Sequence, residues 1–440
     1  MNWSGKITLR KKIGQSLKIG NYMKIRVVVA MLAFAVDVLF SQGVFFREYW
    51  NVYDAGTNNN LRETRLRAND PDITLHPTFG KRTDSWQNGL ALVHVAEDLF
   101  QLESAAVYLE LWGGHPGVAN KRLLLNGKGT YAIPEQGTLE NNCVYSYPLI
   151  PIKIQHLVPG TNALQFSVDR GHSFWGNMII DEAAVRCYLK PDHSDLARLG
   201  LQDFVALVQT PSSQVTDQTM LSITIPASIM DSVASVDYFA RYAGYDENSD
   251  MIENDWHGYT HDKKYHGHIG RSTAPPFTLI WDTRWIPEQG QAMAVKARIN
   301  FKNGLSYFTP VQDGLFFPGK RKRVLMVTCS DLPHPFWVRA HKEQKTHFKI
   351  PFAIADVESV RLLVRIWDGG EGTITNPFTI NGHNYPITSG KANHDVVFTD
   401  CFVQLSHLKT GDNEIRLLSD TEHHGIEMLL PGPALLVRLK

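Results

Sequence analysis

Two stretches of this chain repeat one pattern, and that repeat limits what the chain can fold into. "VYLELWGGHPGVANKRLLLNGKGTY" begins at Val107 and "LLVRIWDGGEGTITNPFTINGHNYP" at Leu362, and they align without a gap. Trp112 matches Trp367 and Asn126-Gly127 matches Asn381-Gly382, each at an offset of 255. A second block follows at an offset of 251. It matches His156-Leu157 with His407-Leu408, Gly160 with Gly411, Asn162 with Asn413, Asp169 with Asp420 and His172 with His423. A loop of different length between the blocks accounts for the smaller offset. Self-similarity at this separation implies two copies of one domain within the 440 residues.

Each copy is written in β chemistry. "AAVYLELW" and "VRLLVRIW" are strand-length apolar or alternating runs that break at glycines. "RLLLNGKGTY" and "PFTINGHNYP" place Asn-Gly directly after an apolar run, the strongest short hairpin signal. No stretch sustains the period of a long amphipathic helix. Between the copies, "MLSITIPASI", "VASVDYFARYAGY", "PFTLIWDTRWIP" and "AMAVKARINFKNG" supply further strands. "KPDHSDLARLGLQDF" from Lys190 is a linker with room for one short helical turn. The expected fold is all-β, three tandem β-sandwiches: a jelly roll over residues 43–195, an immunoglobulin-like unit over 203–317, and a second jelly roll over 320–440.

The order strand, Trp, Gly-rich loop, strand, Asn-Gly, Tyr, followed by Leu-x-x-Gly-x-Asn, resembles the galactose-binding-like jelly rolls. These are carried as non-catalytic modules by secreted bacterial glycosidases and polysaccharide lyases. The resemblance covers about Gly43–Lys190 and Lys320–Lys440. The central unit resembles immunoglobulin or fibronectin type III domains of bacterial extracellular proteins, with "FTLIWDTRWIP" as its edge motif.

The N-terminal region reads as an address. "MKIRVVVAMLAFAVDVLFSQG", Met23 to Gly43, has a basic start and an apolar run too short to span a bilayer, as secretory signals do. A mature chain starting near Gln42 to Val44 is expected, secreted and without stable membrane insertion. Asp37 interrupts the apolar run, so an ordinary buried strand is the alternative. The four cysteines form no CxxC pair, and export permits Cys143–Cys187 and Cys329–Cys401 bridges, with free buried thiols as the alternative. Lys and Arg number 44 and Asp and Glu 44, so no global field draws the chain to nucleic acid.

The most unusual segment is "GYDENSDMIENDWHGYTHDKKYHGHIG", Gly244 to Gly270, inside a loop spanning 243–275 of the central unit. A loop this long within a compact domain suggests function. Asp246, Asn248 and Asp250 follow the start of a calcium loop, with Glu253 as a further oxygen ligand, so calcium is the expected cofactor. Met251 stands where that motif has glycine and His257 where it has glutamate; a solvated acidic turn is the alternative. His257 with His261, and His266 with His268, are spaced for a transition metal, or are simply exposed.

Sugar binding requires an aromatic plane and a few polar groups. The resemblance implies loops at one end of each jelly roll. These are His115 in "WGGHPG" with Asp169, His172 and Trp175 in "DRGHSFWGN", and "WDGGEG" with Asp420, His423 and Glu427 in "DTEHHGIE". Trp256 and Tyr259 add stacking surface in the central loop, whereas Trp112 and Trp367 are assigned to the core. No GxSxG, HExxH, P-loop or dinucleotide fingerprint occurs. Glu110, Asp282, Glu288 and Asp368 are acids with nothing to pair them. The expected function is non-catalytic binding of an extracellular polysaccharide or other glycan. The alternatives are a glycoside hydrolase or polysaccharide lyase with its site at the central loop and domain junctions, and an adhesive or structural spacer.

Overall fold

The computed structural model describes residues 43–51, 66–68, 89–114, 118–136, 144–169, 178–319, 321–333, 336–339, 342–368, 377–385, 395–419 and 425–440. The apolar run before Gly43, Cys143, His115, His172, Trp175, Asp420 and His423 lie outside the described residues. Within them the fold is all-β, as expected, with only short helices such as Ser194–Leu199 in the linker. No helix among the described residues is long and apolar enough to cross a membrane.

The repeat is visible in strand pairing. Val44–Trp50 pairs Met178–Leu189, as Val324–Thr328 pairs Ala434–Leu439. Leu90–Val95 pairs Gly160–Asp169, as Glu343–Ile350 pairs Gly411–Leu418. Leu102–Trp112 lies against Met178–Leu189, as Val357–Asp368 lies against Ala434–Leu439 and Ile426–Met428. The last copy splits that final strand in two around Pro431 and Pro433, which have no N–H to give a ladder.

One hydrogen-bond knot recurs in both copies. Asn126 sits at φ 51° and Asn381 at φ 48°, in the left-handed region a tight hairpin turn needs and asparagine tolerates. Asn126 Nδ2 donates to the His156 carbonyl at 2.9 Å and to Asn162 Oδ1 at 2.8 Å. Asn381 Nδ2 donates to the His407 carbonyl at 2.8 Å and to Asn413 Oδ1 at 2.9 Å. Both Asn162 and Asn413 are fully buried. Their conserved spacing is turn chemistry: each closes its own loop through the carbonyl of Gly160 or Gly411.

The first and central units share one sheet and one core. Val44–Trp50 pairs Met178–Leu189 on one edge and Ser306–Phe308 on the other. A single apolar cluster runs from Phe45 through Leu164 and Cys187 to Trp281 and Ile299. The last unit has its own core, including Phe348, Leu362, Phe378 and Ile415. Cys187, Cys329 and Cys401 are free thiols, so the expected Cys329–Cys401 bridge is not formed, while the Cys143–Cys187 pairing falls on Cys143, outside the described residues. The Cys187 side chain packs into the shared core as a small apolar group.

Across the shared sheet, Glu48 bridges two arginines. Its Oε1 lies 2.7 Å from Arg186 Nη2 and its Oε2 2.8 Å from Arg298 Nη1. Burial drives the Glu48 pKa up, but the two guanidiniums outweigh it and hold the carboxyl below its ordinary value. Both guanidiniums also lie over Phe46, which stacks on Phe308 at 4.7 Å. Glu48→Gln leaves two buried cations facing one neutral amide. We expect it to lower unfolding stability in urea by about 3 kcal/mol. A loss below about 1 kcal/mol, the level of an exposed pair, would show that the triad does not join the two units.

Candidate functional site

The segment Gly244–Gly270 is not a solvated excursion; it is the wedge on which three units meet. Asp246 starts it by accepting the N–H of Asp250 on one oxygen and that of Met251 on the other, both at 2.9 Å. Asp250 caps Ile252 N at 2.9 Å and receives the Asn248 amide at 3.2 Å. Asp246, Asn248 and Asp250 are buried, whereas Glu253 is exposed. Met251 takes φ 71°, the conformation for which the calcium motif uses glycine.

Each of these carboxylate oxygens accepts one N–H, and the guanidinium of Arg365 acts on both Asp246 and Asp250. Among the described residues no three His, Cys, Asp or Glu side chains gather as a metal site would. The histidines are each engaged separately. His257 bonds the Tyr245 carbonyl and Glu247, His261 meets Asp395, and His268 meets Asp237.

Further along, Tyr259–His261 and Lys264–His266 form a hairpin, with Asp262 and Lys263 at φ 49° and 67° in its two-residue turn. Its tip rests on the first unit. Lys263 N donates to Glu110 Oε1 at 3.3 Å, and Lys263 Nζ lies 3.3 Å from the Asn51 carbonyl and 3.4 Å from Glu182 Oε2. Its flank rests on the last unit. His261 Nε2 is 3.2 Å from Asp395 Oδ2, and Tyr259 stacks on Phe398 at 3.9 Å, tilted by 13°. Tyr147 of the first unit lies near-parallel to the same tyrosine at 5.8 Å. Tyr147 and Phe398 are repeat-related, at the offset of 251.

Arg365 of the last unit points into this junction and is 1% exposed. Its Nη1 donates to the Tyr145 carbonyl at 2.9 Å, and its guanidinium lies 3.8 to 5.8 Å from the rings of Phe398, Tyr259, Tyr147 and Tyr145. The residue at its place in the first copy is Glu110. There a β-bulge between Ile180 and Glu182 breaks the register and brings Asp181 and Glu182 beside Glu110. Burial, then the neighbouring acids, push Glu110 to about 7 and Glu182 to about 8. Burial likewise lifts Asp250 to about 7.

Of the residues expected to stack on sugar, Trp256 and Tyr259 are half-buried. Trp256 is covered by the Lys296 ammonium, 3.9 Å from its ring centroid, and by Arg241 at 5.5 Å. Tyr259 gives its face to Phe398, and Glu427 is buried opposite Trp367 in the strand ladder. Packing inside the junction used these side chains before any ligand could. Asp169 is half-exposed, held by Asn120 at 2.6 Å and Arg122 at 2.7 Å. Trp112 and Trp367 are packed, but in one cluster between the two copies rather than inside either sandwich.

An aromatic pair lies elsewhere, at the seam of the central and last units, with Phe402 exposed and Trp285 half-buried against the shared core. Trp285 and Phe402 meet at 5.6 Å with planes 68° apart, and Phe402 is 66% exposed. Arg361 lies 5.2 Å from the Trp285 ring and is bonded through two nitrogens to Asp400. Asp282 is likewise bonded to Arg284. Sequence reasoning missed Phe402 because "VVFTDCFVQL" is an ordinary strand run, and nothing in it shows which face is left uncovered.

No known protein family matches this chain, and no curated protein is similar to it. Among solved structures it is similar to a β-porphyranase of glycoside hydrolase family 86 from the human gut bacterium Bacteroides plebeius. The identity is 12% and the TM-score 0.24, over 53% of this chain and 36% of that one. It is also similar to BuGH86 in complex with neoagarooctaose, at 10% identity and TM-score 0.24, over 61% and 39%. An exo-β-1,3-galactanase from Phanerochaete chrysosporium follows at 8% identity and TM-score 0.17, over 79% and 78%. The chain thus spans little more than a third of the first two proteins, and at these TM-scores the likeness establishes no function.

Two outcomes follow from the junction. Glu110, Glu182 and Asp250 bind protons more tightly folded than unfolded, so their contribution to stability falls as pH rises from about 4 to about 8. His261, raised by Asp395, adds the same sign: its contribution is present at low pH and lost as pH rises through its folded value. Glu182→Gln should therefore gain melting temperature relative to the parent as pH increases across that window. A pH-independent difference would show that Glu182 is not a strained acid. Addition of a calcium chelator should leave the parent's melting curve unchanged; a fall in melting temperature would restore the ion to the Asp246–Asp250 turn.

Proposed function

We propose that this protein is an exported, non-catalytic polysaccharide-binding protein, built from two galactose-binding-like jelly rolls flanking an immunoglobulin-like unit. The observation that carries the proposal is the Trp285–Phe402 pair, in which Phe402 is exposed and Trp285 half-buried. It offers apolar ring surface to the C–H face of a sugar, with carboxylates and guanidiniums beside it for hydroxyl groups. Around the junction the acids are likewise engaged by the chain itself. Glu110 takes a backbone N–H, Asp181 the Tyr145 hydroxyl at 2.6 Å, Glu182 the Lys263 ammonium and Asp395 the His261 ring.

A glycoside hydrolase is the second reading, favoured by one observation. Glu110 and Glu182 face each other across adjacent strands with raised pKa values, as acid–base pairs do. One pair of assays separates the two. Polysaccharide pull-down should be weakened about tenfold or more by Trp285→Ala with Phe402→Ala, while Glu110→Gln and Glu182→Gln leave it intact. Reducing ends should not be released by the parent. Release that disappears in Glu110→Gln or Glu182→Gln would replace binding by hydrolysis.

A further inference from the structure

The Trp285–Phe402 surface also indicates which class of ligand it takes, and this inference rests on the binding function proposed above. Four charges frame the two rings, and each is neutralised by its neighbour. Arg361 Nε donates to Asp400 Oδ1 at 2.8 Å, and a second nitrogen of the same guanidinium meets the other carboxylate oxygen. Arg284 Nε donates to Asp282 at 3.0 Å, with its Nη2 on the second oxygen. Arg361 also lies within electrostatic range of Glu247 and Asp282, and Arg284 within range of Asp217, so the frame carries no excess of positive charge. Such a frame keeps donors and acceptors available for adjacent hydroxyls, because a guanidinium has five N–H groups and a carboxylate about four acceptor positions. It has no unpaired cation to meet a carboxylate or sulfate.

The surface is also longer than one sugar. Asp282 shares the exposed face of Leu279–Asp282 with Ile280, and Ile280 lies opposite Met220 on the neighbouring strand, both about half exposed. Asp282 itself is paired with Gln218. Apolar surface therefore continues past the charged frame along the central unit, a strip of polar and apolar patches that suits a chain rather than a monosaccharide. We infer that the ligand is an uncharged polysaccharide lying across the seam between the central and last units, stacked on Trp285 and Phe402.

Electrophoresis of the full chain through gels containing guar galactomannan, barley β-glucan, polygalacturonate or κ-carrageenan tests this. The parent should be slowed by at least one of the two neutral polymers and by neither anionic one at low salt. Added salt should leave the retardation unchanged, since no ion pair to the ligand is involved. Trp285→Ala with Phe402→Ala should weaken it about tenfold or more, with a melting curve like the parent's as the control for folding. Asp400→Asn removes the carboxylate bonded to Arg361, shifts the local balance toward positive charge, and should add salt-sensitive retardation by polygalacturonate. Salt-sensitive retardation of the parent by the anionic polymers alone, or no anionic binding gained in Asp400→Asn, would overturn the inferred ligand class while leaving polysaccharide binding standing. Full retardation of the doubly substituted chain would overturn the location. Failure of all four polymers to slow the parent overturns the binding function itself.

Discussion

The arrangement of the whole molecule depends on one buried cation. Arg365 carries its charge out of water into a cage of four rings, and those rings come from three parts of the chain. Tyr145 and Tyr147 belong to the first unit, Tyr259 to the central hairpin, and Phe398 to the last unit itself. A guanidinium is the cation best suited to such a place, because it is weakly hydrated and stacks on aromatic faces. Hydrogen bonds to the Tyr145 carbonyl at 2.9 Å and the Ser249 carbonyl at 3.4 Å orient it. Separating the units would uncover the rings and leave the cation without its cage, so their association is set by the same contacts that make the burial tolerable.

The cage also shows what happened to the repeat. The two copies retain the same strand pairing and the same asparagine knot, yet diverge where they meet. Arg365 stands where the first copy has Glu110, and Phe398 where it has Tyr147. Trp112 and Trp367 still match, and they pack in a shared cluster with Tyr145, Val396 and Leu429. The central hairpin fits between the diverged residues, its Lys263 toward Glu110 and Glu182, its Tyr259 toward Phe398. Opposite charges at equivalent positions make the two sides of the junction distinguishable, so the hairpin has one way to sit.

This architecture separates the polar junction from the exposed aromatic seam. The junction concentrates acids, histidines and tyrosines, and by composition it resembles a site. Many of its members bond to one another, as His261 does to Asp395 and Tyr145 to Asp181, although Arg365 keeps two buried nitrogens without a hydrogen-bond partner. At Trp285 and Phe402 the composition is unremarkable, but Phe402 stays exposed beside Arg361, and the neighbouring charges are fixed in pairs. A surface that is rigid, apolar and flanked by oriented polar groups is prepared for a ligand without having to reorganise.

Local chemistry determined most of what could be read from the sequence alone. Asn-Gly turns and alternating strands depend on neighbours within a few residues, so the all-β fold is legible in one dimension. The short helix after Lys190 is legible for the same reason. Tertiary structure alone decided what the side chains of Gly244–Gly270 face. Trp256 looks like a stacking platform until Lys296 and Arg241 are brought over it, and Asp246 looks like a calcium ligand until the turn gives it two N–H donors. Phe402 looks like any strand residue until the packing of Trp285 leaves it open. Whether a polar or aromatic side chain is free for function depends on contacts between residues up to hundreds of positions apart, and no local pattern encodes them.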